Sequence, residues 1–289
     1  QFFAGVIFFA VIFVIAADMT FIATKVLINH GLTPQEIFFY RFLIAYIGIW
    51  AISPKHLFAD NLKDELWLVA GGVFGGSLYF FTENTALGIT QASNVAFIIC
   101  TAPLLTTILS LIFYKSEKAT KGLIYGSLLA LIGVGLVVFN GSVVLKLSPV
   151  GDLLTLLAAL SWAFYSLVIK RMTGRYPTVF ITRKIFFYGV LTILPAFLLH
   201  PLQPDFDVLL QPLVLSNLLF LAVLASLICY ILWNVVLKQL GTMRASNYIY
   251  LNPLVTMVAS VLILHEQITW ITLMGAACII LGVYLAEKK

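Results

Sequence analysis

The sequence predicts an all-α membrane protein in which ten transmembrane helices form two inverted five-helix repeats. Of its 289 residues, 62% are hydrophobic and only 10% are charged, whereas about a quarter of the residues of a soluble domain are charged. The chain contains ten apolar stretches, and most are long enough to cross roughly 30 Å of hydrocarbon as helices. The last five stretches repeat the first five.

The repeat is visible as residue types that recur at a nearly constant spacing. Five first-half residues have counterparts 149 or 150 positions later, and an arginine recurs 142 positions later. The pairs are Asn84 and Asn234, Pro103 and Pro253, Glu117 and Glu266, Gly126 and Gly275, Gly133 and Gly282, and Arg41 and Arg183. We therefore predict one transport domain with halves at residues 1–143 and 144–289.

Each predicted element is an apolar run bounded by proline, glycine or charged residues. The runs must be helical because lipid cannot satisfy free backbone groups. In chain order the predicted spans are about Gly5–Ile28, Ile37–Ile52, Glu65–Gly88, Ala92–Phe113, Gly122–Phe139, Gly151–Ile169, Thr178–Leu199, Leu213–Leu237, Ala245–Leu264 and Ile268–Ala286. Because five is an odd number, the second half enters the membrane from the opposite side. Inverted repeats of this kind are typical of transporters that work by alternating access.

The distribution of basic residues predicts the orientation of the chain. Loops on one side, together with the C-terminus, hold twelve Lys and Arg residues, and the opposite loops hold one, Lys146. By the positive-inside rule, both termini face the cytoplasm of what we expect to be a bacterial inner membrane. The same bias accounts for the net charge of +5, so the charge gives no reason to expect a nucleic-acid partner. The predicted partners are membrane lipid and a small-molecule substrate.

Motifs for other functions are missing from the sequence. There is no Gly-rich loop ending in Gly-Lys-Ser or Gly-Lys-Thr, no His-Glu-x-x-His and no Gly-x-Ser-x-Gly, so an ATP motor, a zinc peptidase and a serine hydrolase are not indicated. The three cysteines lie in apolar stretches and are typical of small buried hydrophobic residues. We predict a protein that is not an enzyme and has no cofactor or metal.

The repeated motifs resemble those of a known family. Each half has an early arginine, then a proline with apolar and small residues, a glutamate, and a helix with two glycines seven apart, Gly126 and Gly133 or Gly275 and Gly282. This pattern is similar to the ten-helix, EamA-like branch of the drug/metabolite transporter superfamily. The resemblance implies a substrate cavity between the halves, lined by helices 1, 3 and 4 and helices 6, 8 and 9. It also implies export from a bacterial cytoplasm as a frequent role.

Four ionisable residues inside the first-half spans are the leading candidates for substrate binding or coupling, since such groups are costly in a membrane. Asp18 is expected near mid-membrane. Lys25, Arg41 and Glu83 are expected at one common depth, closer to the outer face of the membrane. Lys25 and Arg41 have the alternative of reaching the lipid headgroups with their charged ends. Glu83 has the alternative of being a permanent partner of either base.

Polar residues of the later helices supply the remaining candidates. The asparagines Asn84, Asn234 and Asn252 could bind substrate or could hydrogen-bond between helices. Buried phenol groups need a partner that lipid does not offer, and on this ground we select Tyr165, Tyr230 and Tyr250.

Together these features predict a secondary active exporter of small organic metabolites. An acid and a base near one cavity favour an amino acid or similar zwitterion, with possible proton coupling. One alternative is an exchanger of phosphorylated or nucleotide-linked metabolites, which needs several bases in the cavity. An alternative of another class is a lipid flippase or membrane enzyme, which needs a lateral opening and a convergent catalytic set.

Overall fold

The computed structural model describes residues 16, 19–20, 22–52, 57–90, 92–114, 118–139, 148–198, 201–255, 257–258 and 269–287, without the side chains at 92, 93 and 287. Every regular element in these ranges is helical, as predicted. Six of the described helices are long and apolar enough to cross a membrane: Pro34–Ile52, Asn94–Phe113, Lys121–Phe139, Pro149–Thr173, Thr178–Leu198 and Pro212–Leu240. The chain is an integral membrane protein.

The first half contains seven α-helical segments and one π-helical segment in its described part. They are α1 (22–29), α2 (Pro34–Ile52), α3 (Leu62–Gly72), the first π segment (Val73–Ser77), α4 (Leu78–Ile89), α5 (Ala92–Ile99), α6 (Ala102–Phe113) and α7 (Lys121–Phe139). Helix α2 begins with a capping box, because Thr33 and Glu36 bond each other through backbone and side chain.

The described elements of the second half follow a similar order to those of the first, and a helix with a π segment again occurs in the middle. Its described elements are α8 (Pro149–Thr173), α9 (Thr178–Ile193) with a 3₁₀ turn (Leu194–Leu198), α10 (Phe206–Leu209), α11 (Pro212–Leu219), the second π segment (Phe220–Ile228), α12 (Cys229–Leu240), α13 (Thr242–Asn247), a 3₁₀ turn (Tyr248–Leu251), α14 (252–255) and α15 (Trp270–Glu287). Proline occupies the first helical position of α8 and α11, where no backbone donor is lost. Gly241 joins α12 to α13 with a φ of +79°.

The predicted count of ten spans is only partly matched by the six helices. The third predicted span corresponds to α3, the first π segment and α4, which are continuous from Leu62 to Ile89 but carry Asp64, Glu65 and Glu83. The tenth corresponds to Trp270–Ala286, which is shorter than the others. The first and ninth lie partly outside the described residues. The full count therefore stays a prediction.

Helices α7 and α15 pack backbone to backbone through the four repeated glycines. A Cβ added at Gly126 would lie 2.4 Å from the carbonyl oxygen of Gly282, and one at Gly133 would lie 2.6 Å from that of Gly275. The early glycine of one helix thus meets the late glycine of the other, so the helices run antiparallel. Only glycine permits an approach this close, and in lipid such contact is what holds helices together.

The π segments pack across the molecule in a reciprocal way. Helix α2 of the first half packs on the second π segment, and α9 of the second half packs on the first π segment. The main cluster of buried apolar side chains draws on both halves, with Phe42 and Phe80 from the first and Tyr165, Phe186 and Trp233 from the second. The functional residues described next lie where these elements meet.

Candidate functional site

A cavity lies between the two halves and is bordered by elements from both. Its described lining comes from α2, α4, α5, α6, α8, the second π segment, α12, the second 3₁₀ turn and α14, with one residue before α1. The lining residues are Thr20, Arg41, Tyr79, Phe80, Glu83, Ile99, Ala102, Ala159, Trp162, Ala225, Cys229, Tyr230, Ile249 and Asn252. The cavity measures about 60 Å³, well below the roughly 300–1,000 Å³ of sites for drug-sized ligands. Its walls must therefore move apart to admit a metabolite.

Arg41 supplies a buried positive charge to this cavity. Helix α2 carries it, and only 1% of the residue is exposed. Its Nε donates a hydrogen bond to Ser226 Oγ at 2.9 Å, and its guanidinium carbon lies 4.3 Å from the centre of the Phe80 ring. Its Nη1 is buried and has no hydrogen-bond partner among the described residues. Ser226 and Phe80 thus fix the guanidinium while one donor nitrogen stays uncommitted.

Glu83 supplies the acid. It follows the first π segment on α4 and is 4% exposed. Tyr79, one turn earlier on the same helix, donates a hydrogen bond to Glu83 Oε1 at 2.6 Å. Within the described part of the chain, Glu83 and Arg41 form no direct ion pair, although both line the same cavity. Two buried opposite charges held apart in this way can each bind a complementary group of a ligand.

Aromatic rings form much of the remaining wall. The ring of Trp162 lies 5.0 Å from those of Tyr79 and Tyr165 and 5.9 Å from that of Tyr230. The Tyr230 hydroxyl donates to the backbone carbonyl of Gly75 in the first π segment. Apart from these hydroxyls, the two charges, Thr20 and Asn252, the described wall is apolar.

Irregular backbone surrounds the cavity in both halves. Helices α5 and α6 are separated by a turn at Cys100 and Thr101, and the matching stretch of the second half is the 3₁₀ turn Tyr248–Leu251. Ile99 and Ala102 flank the first break, and Ile249 and Asn252 lie at the second. Interrupted helices at a site between two halves are a feature of many transporters.

The sequence-predicted candidates divide into three groups. Arg41, Glu83, Tyr230 and Asn252 line the cavity. Tyr165 lies behind the wall, where its hydroxyl donates to Asn234 Oδ1 at 2.7 Å and Asn234 Nδ2 donates to Thr182 Oγ1 at 2.8 Å. The pair Tyr165 and Asn234 therefore ties α8 and α12 to α9.

Three further candidates lie away from the cavity lining. Lys25 is exposed, and its Nζ donates to the Leu87 carbonyl at 2.8 Å. It is not among the described lining residues of the cavity. Asn84 donates to the Pro34 carbonyl at 3.4 Å, which links α4 to the start of α2. Tyr250 belongs to a separate apolar cluster with Ile279 and its neighbours. Asp18 lies outside the described residues.

The sequence did not single out Ser226, Thr20, Ala225 or Cys229, which lie in or beside the cavity. A hydroxyl in an apolar span is the signal for Ser226, since lipid offers it no partner. The small apolar residues carry no such signal. Among the described residues, no group of three or more His, Cys, Asp or Glu side chains could hold a metal ion.

A second polar cluster joins the halves at the start of α3. Arg175, in the turn after α8, forms an ion pair with Asp64 at 2.8 Å, and the Tyr176 hydroxyl donates to Asp64 at 3.1 Å. Burial acts to raise the pKa of Asp64, but hydrogen bonds from Arg175, Asn61 and Tyr176 together hold it below its ordinary value. The next residue, Glu65, pairs with Lys184 of α9.

The chain matches known proteins along nearly its whole length. The profile described as the EamA-like transporter family matches residues 4–139 and again 149–287. A "Probable amino-acid metabolite efflux pump" of Salmonella typhimurium is 26% identical over 291 residues, covering 96% of this chain and 93% of that protein. The protein with the same description in Escherichia coli is 23% identical, with 96% and 92% covered.

Two further similarities concern another relative and a solved fold. An "Uncharacterized transporter" of Archaeoglobus fulgidus is 28% identical over 262 residues, with 89% of each chain covered. A crystal structure at 17% identity superposes with a TM-score of 0.74 and covers 98% of this chain and 96% of its own. At that identity, the likeness supports the fold alone.

Proposed function

Because the chain belongs to the EamA-like transporter family, whose profile it matches once in each half, we propose that it exports a small organic metabolite by alternating access. The proposed cargo is an amino acid or a similar zwitterion. The observation that carries this proposal is the cavity between the halves, whose described lining holds one acid, Glu83, and one base, Arg41. Relatives described as amino-acid metabolite efflux pumps add support. The family is one of transporters and not of enzymes.

Alternating access needs two halves that can rock against each other, and we propose that residues 1–143 and 144–289 are these halves in inverted orientation. The antiparallel α7–α15 contact supports this arrangement. Gly126 and Gly275 are counterparts, as are Gly133 and Gly282, yet Gly126 contacts Gly282 and Gly133 contacts Gly275. Such exchanged pairing is the pattern of a two-fold axis that crosses the contact.

We assign coupling to Glu83. A carboxylate that is buried in an apolar helix is costly in its charged form unless a partner stabilises it. Here the Tyr79 hydroxyl is one such partner, and Arg41 lines the same cavity without forming an ion pair. A proton or a substrate ammonium could therefore exchange at Glu83 as the cavity opens to one side and then the other. Asp18 stays a further candidate from the sequence.

The same observations disfavour an exchanger of phosphorylated metabolites. A phosphate carries close to two negative charges, and Arg41 is the one base in the described lining of the cavity. A flippase or lipid-modifying enzyme has no support from a convergent catalytic set in the described residues.

Reconstitution tests this function directly. The purified chain in proteoliposomes, loaded with labelled amino acids one at a time, should release at least one of them faster than protein-free liposomes do. An imposed pH gradient should accelerate that release. Phosphorylated sugars serve as the comparison, and release of these alone would overturn the proposal.

A further inference from the structure

The guanidinium of Arg41 is fixed in position by its neighbours, yet one of its nitrogens lacks a hydrogen-bond acceptor among the described residues, as in a site that binds an anion. Its Nε is taken by Ser226 and its planar face by Phe80, which fixes the guanidinium on two sides. Its Nη1 remains buried without a hydrogen-bond partner among the described residues. The large majority of buried polar side-chain atoms have partners in native structures, and each exception calls for an explanation. Several such atoms occur among the described residues, and Arg41 Nη1 is the cationic one whose side chain lines the cavity. A ligand oxygen at Nη1 would supply the missing acceptor.

The charge of the cavity limits which anion fits. Among the described lining residues, Arg41 is the one base and Glu83 the one acid. A ligand with one carboxylate and one ammonium leaves every charge paired, whereas a second anionic charge would face Glu83. The Glu83 carboxylate accepts from Tyr79 at Oε1 and retains lone pairs for an ammonium. The complementary ligand is therefore a monocarboxylate zwitterion.

The remaining lining residues of the cavity determine which side chain this ligand can carry. Phe80, Trp162, Tyr230, Ile99 and Ile249 present rings and branched alkyl groups to the cavity. Away from Thr20 and Asn252, a polar side chain on the ligand would lose its water against this surface without gaining a partner. An apolar side chain would gain contact with each of these groups as the cavity widens to hold it.

Resting on the proposed function, we propose that Arg41 is the carboxylate subsite for an α-amino acid with an apolar side chain, and that Ser226 is the positioning residue that aims it. The repeat-related Arg183 has no such role. Arg183 lies over Phe180 at 5.4 Å and is not part of the cavity lining. The two arginines therefore form a matched pair in which one binds cargo and the other belongs to the scaffold.

The test compares an amino acid with its own amide in competition. Proteoliposomes with the full chain exchange internal L-leucine or L-phenylalanine, whichever exchanges faster, against the labelled form outside. The unlabelled acid should compete about 10- to 100-fold better than the amide, as expected for a hydrogen bond to a charged group. Arg41→Gln should bring this ratio close to one. Ser226→Ala should lower it partly, and Ser226→Thr should restore it.

Arg183→Gln is the control, and it should keep the wild-type ratio. Thermal unfolding of each variant in detergent shows whether it is folded, and if Arg41→Gln is not, the Ser226 variants still give the ratio. Equal competition by acid and amide in active wild-type protein would overturn the carboxylate subsite and leave the proposed function standing. An equal loss of the ratio in Arg41→Gln and Arg183→Gln would also overturn it. If wild-type protein exchanges neither amino acid but releases another one in the reconstitution described above, this subsite is wrong and the proposed function stands.

Discussion

The Tyr230 hydroxyl donates a hydrogen bond to the backbone carbonyl of Gly75, so a side chain of the second half is bonded to the first π segment. Within a regular α-helix, that carbonyl would accept from the amide of the next turn. The ring of Tyr165 lies against the same glycine, where an added Cβ would be only 2.2 Å from a ring carbon. Gly75 is thus the point at which two tyrosines of the second half contact the backbone of the first.

Gly75→Ala should therefore destabilise the protein by about 1–3 kcal/mol through overpacking against Tyr165 and should slow transport. Gly88→Ala is the control on the same span, because nothing lies within 4 Å of its added Cβ. That change should be neutral or stabilising by up to about 1 kcal/mol. Thermal unfolding in detergent and exchange in proteoliposomes measure both, and equal behaviour of the two variants would contradict the close contact at Gly75.

A second glycine pair tests the α7–α15 contact. Gly133→Ala would bring a Cβ within 2.6 Å of the Gly275 carbonyl oxygen, whereas Gly135→Ala, on the same helix, meets Phe97 at an ordinary 3.4 Å. Since backbone atoms cannot yield as a flexible side chain can, Gly133→Ala should lower stability by roughly 1–3 kcal/mol. Gly135→Ala should change stability little. A stable Gly133→Ala protein would mean that α7 and α15 lie further apart.

Glu83→Gln tests proton coupling, because the amide keeps the size of the side chain but cannot carry charge. This variant should keep some exchange of cargo, with weaker binding because the cargo ammonium loses its charged partner, and should lose accumulation driven by a pH gradient. Tyr79→Phe is the companion variant, which removes the hydrogen bond to Glu83 but leaves the carboxylate, so gradient-driven transport should persist. Gradient-driven transport by Glu83→Gln at the wild-type rate would exclude the coupling role.

The ion pair of Asp64 with Arg175 predicts a dependence of stability on pH. The folded state holds the pKa of Asp64 below its ordinary value of 3.8, so the unfolded chain takes up the proton first as pH falls. The stabilisation is fully present above about pH 4 and declines as pH drops through the lower, folded pKa. Asp64→Asn should thus unfold at a lower temperature than wild type at pH 7, with the difference shrinking toward pH 3. If the difference in unfolding temperature stays constant over that range, Asp64 is not the source of the pH dependence.

Surface labelling tests the orientation on which export depends. Lys118 and Gln203 are exposed loop residues on opposite predicted sides. A cysteine at position 118 should react with a membrane-impermeant thiol reagent only from the cytoplasmic side, and one at 203 only from outside. The natural cysteines Cys100 and Cys229 are buried, and the unmodified protein measures their background. A reversed labelling pattern would mean that the predicted orientation is wrong, and with it the proposed direction of transport.

Much of the fold follows from the sequence because lipid imposes a simple rule. Any apolar stretch of sufficient length has to be helical, and the duplicated glycines and prolines are specific enough to indicate the family. The π segments were not predicted. Their sequences are as apolar as their neighbours, and the choice between an α turn and a π turn depends on packing against α2 and α9.

The candidate site was less predictable than the fold. Burial and charge made Glu83 and Arg41 candidates, and both lie in the described cavity lining, while their roles in binding and coupling stay predictions. Repetition was a poorer guide, since Arg41 and Arg183 are counterparts and yet only Arg41 lines the cavity. From its position in the first span, Lys25 was expected at the same depth as Arg41. Whether a residue faces the cavity also depends on its angular position around the helix. That angle is set by how neighbouring helices pack, and a single sequence does not reveal it.

The glycine contact between α7 and α15 also bears on how the protein is made. Gly126 and Gly282 are 156 positions apart in the chain, so α7 is inserted long before its partner has been synthesised. At about 5–20 residues per second, that interval is roughly 10–30 s. During it, the glycine face of α7 has no α15 to cover its backbone, and any helix with a matching smooth face could occupy it. Membrane insertion of α15 is therefore the step that covers the glycine face of α7 and completes this contact.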